Sequence, residues 1–151
     1  MTSEQRRLVH ESWARASVSG EEFARCFYAR LFEIDAEAAR LFTFTDMAAQ
    51  RAKFVRMLSV LVRAIDALRE LVPGVAALGR RHVRYGASRR HYASVGEALR
   101  GALAATLGAA FTPAVHAAWV EAYALVESVM RRAVAHPEPN APDTIRSRSA
   151  L

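Results

Sequence analysis

Phe23, Phe27, Tyr28, Leu31 and Phe32 recur at three- and four-residue steps, which places them on one face of a helix. Phe54, Met57, Leu58, Leu61 and Ile65 repeat that spacing as a second stripe, and no stretch reads as a strand or as an internal repeat. Helix signals divide the chain further. Ser3 is placed to cap a first helix carrying Leu8, Val9 and Trp13, which SVSG ends; a second runs from about Glu21. Asp35 caps a short third helix, AEAARLF, the loop TFTD follows, and a fourth helix starts near Met47. Pro73, in a first turn, opens a fifth that Gly86 stops. A sixth spans about Tyr92 to Leu107, closed by Gly108, and the last runs from its N-cap Thr112, with Pro113 just inside, to Ala133. The sequence thus predicts an all-α domain of six or seven helices over residues 1–135 and a flexible tail, residues 136–151, beginning at HPEPNAP.

A chain of 151 residues is long enough to bury about two thirds of its unfolded surface as one domain. Cys26 is the only cysteine, so an intramolecular disulfide framework is excluded and a reducing compartment fits. The opening MTSEQRRLVHESW lacks the apolar run of a signal peptide, and no uncharged stretch approaches the roughly 20 residues of a membrane span. The expectation is a soluble, cytoplasmic protein without a membrane partner. The formal charge of +6 comes almost wholly from arginine, Lys53 being the sole lysine, and the arginines are read as interspersed with acidic residues. With no nucleic-acid-binding module in view, no specific nucleic-acid partner is expected.

The stretch LGRRHVRYG sets one histidine among three arginines. Leu71, Val75, Leu78 and His82 follow steps of four, three and four, so His82 shares the inward stripe while Arg80, Arg81 and Arg84 point largely elsewhere. Two readings stand: a core histidine satisfied by a backbone carbonyl, or a metal or haem ligand whose second ring nitrogen is held by the carbonyl near Leu78. Gln50 and Phe54 lie four apart on a segment that can face it, and Tyr28 beside Phe27 lies on a third. A polar pair in an aromatic lining suits a small-ligand cavity. The alternatives are a core Tyr28 with its hydroxyl satisfied and a Gln50 turned to solvent.

FYARLF at 27–32, RLFTF at 40–44, MAAQRAKF at 47–54, LGRRHVRYG at 78–86, HYASVGEAL at 91–99 and AWVEAYALVESVM at 118–130 stand in an order and spacing that resembles the globin family. The likeness is to bacterial single-domain haemoglobins, and the chain is also similar to neuroglobins and to the haem domain of flavohaemoglobins. It implies a globin fold around one haem b, with His82 as the proximal iron ligand, Phe42 wedging the haem, Gln50 in the distal position and Phe54 one turn on. It further implies that Tyr28 is aimed at bound oxygen, that Lys53 lies near a propionate, and that Leu78, Tyr92 and Val95 belong to the cofactor surroundings. His91 is either a propionate contact, as the resemblance favours, or a solvated loop residue. Trp13 and Trp119 match packing positions. His10, His116 and His136 are read as surface residues, and Cys26 as a small core residue.

The resemblance implies binding of dioxygen, nitric oxide or another small gas at a five-coordinate iron. Hydrogen bonds from Tyr28 or Gln50 to a ligand carrying charge are worth about 1.5–3 kcal/mol, enough for high affinity and slow release. Three roles remain open: nitric oxide dioxygenation with a separate reductase, oxygen storage or delivery, and gas sensing through a partner. Against the flavohaemoglobin pattern, the position of the glutamate that partners the proximal histidine is occupied by Val134, so His82 should push less electron density to iron.

Overall fold

The computed structural model describes residues 1–84 and 88–135, leaving aside the side chains of 68–72, 133 and 134. Over these residues it is all helical: α1 (Ser3–Ala16), α2 (Gly20–Ile34), α3 (Ala36–Arg40), α4 (Met47–Arg63), α5 (Leu68–Arg84), α6 (Arg89–Leu107) and α7 (Pro113–Ala135). Single 3-10 turns at Ser17–Ser19, Ile65–Ala67 and Gly108–Ala110 complete the path. No strand occurs among the described residues. The expected stop at Gly86 and the tail from His136 lie outside them.

Local chemistry explains where the helices begin. Asp35 caps α3 by accepting from the Glu37 and Ala38 amides, and the Val115 amide donates to Thr112 at the start of α7. The first cap is Thr2 instead of Ser3, because Thr2 alone is three residues from Gln5. Its hydroxyl accepts from the Gln5 amide at 3.1 Å while the Gln5 side chain accepts from the Thr2 amide at 2.8 Å. Pro73 does not open α5. The helix begins at Leu68 and runs through Pro73, although an interior proline loses one backbone hydrogen bond and crowds the carbonyl four residues back, at about 3 kcal/mol. α6 begins at Arg89, about a turn earlier than its apolar pattern suggests, because the His91 ring accepts from the Ser88 amide at 2.9 Å and closes a capping box.

α2 packs on α6 and α4, α7 packs on α5 and α1, and α4 and α5 make no comparably close approach among the described residues. Phe23, Leu103 and Val9 are the largest fully buried side chains. Trp13 and Trp119 meet edge to face at 6.4 Å, their indole nitrogens donating to Ser59 and Ser12, which bears out a packing role. Where α5 meets α7 only glycine fits: a Cβ on Gly79 would stand 2.5 Å from the Met130 carbonyl oxygen. That close approach lets α5, which carries His82, lie directly against α7.

Candidate functional site

α2 and α4 bring Tyr28, Gln50 and Phe54 together, and the turn after α3 adds Phe42. Phe54 stacks on Phe27 with centroids 4.2 Å apart and lies 5.7 Å from Tyr28. Phe42 approaches Tyr28 at 5.5 Å and Phe32 at 5.6 Å. Within this aromatic group the Gln50 amide nitrogen donates to the Tyr28 hydroxyl at 3.0 Å, so Gln50 is not turned to solvent. Burial pushes the Tyr28 phenol up to about 12, against smaller downward pulls from the Gln50 hydrogen bond and the Arg51 charge. The hydroxyl therefore keeps its proton at neutral pH. The Gln50 carbonyl oxygen is buried without a hydrogen-bond partner, a cost of about 1–3 kcal/mol unless another group meets it.

On α5, Val75 is buried, Arg81 and Arg84 are exposed, and His82 is half-buried on the apolar stripe. Its Nδ1 lies 2.8 Å from the Leu78 carbonyl oxygen one turn back, the contact expected from the spacing. That bond selects the tautomer with the lone pair on Nε2. Burial holds the imidazole below its ordinary pKa, the Leu78 bond works in the opposite direction, and the Arg81 charge adds to the lowering. A neutral ring with a lone pair on Nε2 is the form that ligates a metal.

The other expected residues divide. Val95 is half-buried against the core, and Lys53 is exposed on α4. The Tyr92 hydroxyl is buried with no partner, while its backbone carbonyl accepts from Tyr123. Burial and the Glu127 charge raise the Tyr92 phenol, and Arg131 offsets them in part. His91 is neither solvated nor in a loop. It is 7% exposed in the first turn of α6, with Nδ1 on the Ser88 amide and Nε2 3.8 Å from Asp35, because a histidine can serve as the cap acceptor that Glu or Gln usually supplies. Cys26 is only partly buried and accepts from Arg30. His116 is exposed, and His10 is half-exposed and pairs with Asp66 at 3.1 Å.

Phe32 joins the aromatic group on the face it shares with Tyr28, as its spacing predicts. Sequence reading missed one feature. Asp35 acts as more than a cap: it takes Arg90 and the Ser94 hydroxyl, joining α3 to α6. Burial alone would raise its pKa, but the Ala38 amide, Ser94, Arg90 and His91 together hold it below the ordinary value. Partners some 55 residues away leave no local signal.

A profile of the family described as Globin matches residues 25–130. Among similar proteins, the neuroglobin of Tetraodon nigroviridis is 27% identical over 145 residues, covering 87% of this chain and 91% of that one. The flavohemoprotein of Deinococcus radiodurans is 31% identical over 134 residues, covering 86% of this chain but only 33% of its own length. A solved structure, described as a hexacoordinated heme protein from an anhydrobiotic tardigrade, superposes with a TM-score of 0.80 at 16% identity, over 90% of this chain and 96% of that one. That likeness establishes the shared arrangement of helices. With the family profile spanning most of the described helices, the chain belongs to the globin family.

Proposed function

We propose that the protein is a haem b protein in which His82 on α5 would hold the iron, and in which a diatomic gas would bind beside Tyr28 and Gln50. The observation that carries this reading is the Tyr28–Gln50 hydrogen bond inside the aromatic group, with a buried Gln50 oxygen left over. The residues fit the cofactor. A neutral imidazole tethered to Leu78 presents the right nitrogen, and among the described residues α4 and α5 are not packed closely on one another. The haem supplies an iron to which the gas binds. Phe42 and Phe54 exclude water from the ligand side, and Lys53 is available to a propionate.

Tyr28 keeps its proton, and its oxygen already accepts from Gln50, so its O–H remains a donor toward a ligand. Donation to a ligand with anionic character is worth about 1.5–3 kcal/mol, tenfold to more than a hundredfold in affinity. Slow release would suit oxidation of nitric oxide to nitrate better than oxygen delivery. Turnover would then need a source of electrons. The similarity to a flavohemoprotein, confined to a third of that chain, supports a supply of electrons from beyond the matched helices.

The absorption spectrum of the reduced, gas-free protein tests the cofactor and separates five- from six-coordinate iron; protein that takes up no haemin overturns the proposal. His82→Ala should lose stable haem or its normal ligation, and an unchanged spectrum would assign the ligand elsewhere. Stopped-flow mixing of the oxygenated protein with nitric oxide should give nitrate, with sustained turnover when a reductase is added. Failure to form nitrate leaves storage or sensing.

A further inference from the structure

Cationic charge is less evenly mixed along the chain than a first reading of the sequence suggests. Residues 71–96 contain five arginines, at 80, 81, 84, 89 and 90, and no aspartate or glutamate. A second acid-free stretch, residues 47–65, spreads Arg51, Lys53, Arg56 and Arg63 along the whole of α4 and ties Arg51 to Glu21 at 2.8 Å. In the α5–α6 stretch Arg90 pairs with Asp35 and Glu37. Arg80, Arg81, Arg84 and Arg89 enter none of the ion pairs found among the described residues, and the last three are exposed. Five residues of chain hold Arg84 and Arg89 within about 18 Å of each other.

We propose that the cationic surface formed by Arg81, Arg84 and Arg89, at the end of α5 and the start of α6, docks an electron-transfer protein that surrounds its redox centre with carboxylates. This rests on the proposed haem function, which requires a supply of electrons. Position favours such a partner over a nucleic acid or an anionic membrane. The patch flanks His82: Arg81 and Arg84 lie one and two residues from it on α5, both exposed. A polyanion gains nothing from that proximity, whereas a reductant gains a short path to the ligand of the iron. In the step served, one electron leaves the reduced carrier and enters ferric iron, so the carrier is oxidised and the iron reduced by one, with no bond or proton transferred. Unpaired guanidinium groups also steer an acidic partner, raising association rates by about 10 to 1,000-fold at low salt.

The test uses the full chain and flavodoxin, an acidic one-electron flavoprotein, as probe. Binding is followed by calorimetric titration at low and physiological salt, and reduction of ferric haem by stopped flow. Replacing Arg81, Arg84 and Arg89 together by Gln should weaken flavodoxin binding at least tenfold and flatten its salt dependence. Replacing Arg7, Arg15 and Arg25 by Gln makes the same change in net charge on α1 and α2 and should cost less than threefold. Equal losses from the two triple variants, or no binding by the unaltered protein, overturn the proposal. So does dependence on the patch for binding duplex DNA or phosphatidylglycerol vesicles but not flavodoxin. Haem uptake is read separately from the absorption spectrum, so failure of the cofactor proposal is distinguishable from failure of docking.

Discussion

The side of the fold that carries Tyr28 and Gln50 and the helix that carries His82 are held by different means. On the first, rings from α2, α4 and the turn after α3 lock together, with centroid separations of 4.2 to 5.7 Å around the polar pair. On the second, His82 is oriented by its own helix through Leu78, and the helix is positioned by the close backbone approach at Gly79. The first arrangement spreads its precision over many side-chain contacts. The second rests on the broad packing of α5 against α7, with its tightest point at Gly79, so single substitutions should damage the two sides in different ways.

The largest effect is expected at Phe27, 2% exposed and stacked on Phe54. Phe27→Ala should destabilise the protein by about 3–5 kcal/mol, the range for emptying a buried phenylalanine site. Denaturant unfolding measures the loss. A value under about 1 kcal/mol would mean that the aromatic group does not hold this side together.

Gly79→Ala attacks the other side. The added methyl meets the Met130 backbone, which cannot swing away as a side chain can, so α5 must rise from α7. The expected cost is about 1–3 kcal/mol, the usual range for overpacking, or roughly 2–10 °C in Tm for a chain of this size. If the comparison holds, haemin uptake falls more steeply than stability, because His82 moves with the helix. Retention of both would show that some other contact sets the position of α5.

This contrast also marks what the sequence could disclose. The aromatic side was legible: the steps among Phe23, Phe27, Tyr28 and Phe32, and between Gln50 and Phe54, predict shared faces, and the Leu78–His82 spacing predicts the tether. Family resemblance supplied the pairing of those faces, which periodicity alone leaves undetermined. Gly79 went unnoticed because a helical glycine looks the same whether it is tolerated or required, and only Met130, far along the chain, distinguishes the cases. The start of α5 was misplaced because proline at a first turn is common, while proline inside a helix depends on packing that overrides the local preference. For His91 only the solvated-loop alternative fails, since the cap motif normally calls for Glu or Gln and a histidine there leaves no local signal.

The smallest expected effect separates the polar pair from the rings around it. Tyr28→Phe keeps the ring and removes the acceptor of the Gln50 amide, so the loss at neutral pH should be about 0.5–1.5 kcal/mol, well below that for Phe27→Ala. Its sign with pH is fixed by the shift. A phenol whose folded pKa is raised from 10 to about 12 favours the fold fully while it is neutral in both states, below pH 10. That contribution is lost as pH rises through 12, because the unfolded chain releases the proton more readily. Tyr28→Phe should therefore lose less stability than the unaltered protein between pH 10 and 12, although Tyr92 and Tyr123, also raised, preserve part of the dependence in both. Urea unfolding across that range, with both proteins in the same buffers, tests the difference. Parallel curves would mean that the Tyr28 phenol meets water, and the polar pair would then be a surface feature instead of the interior of a pocket.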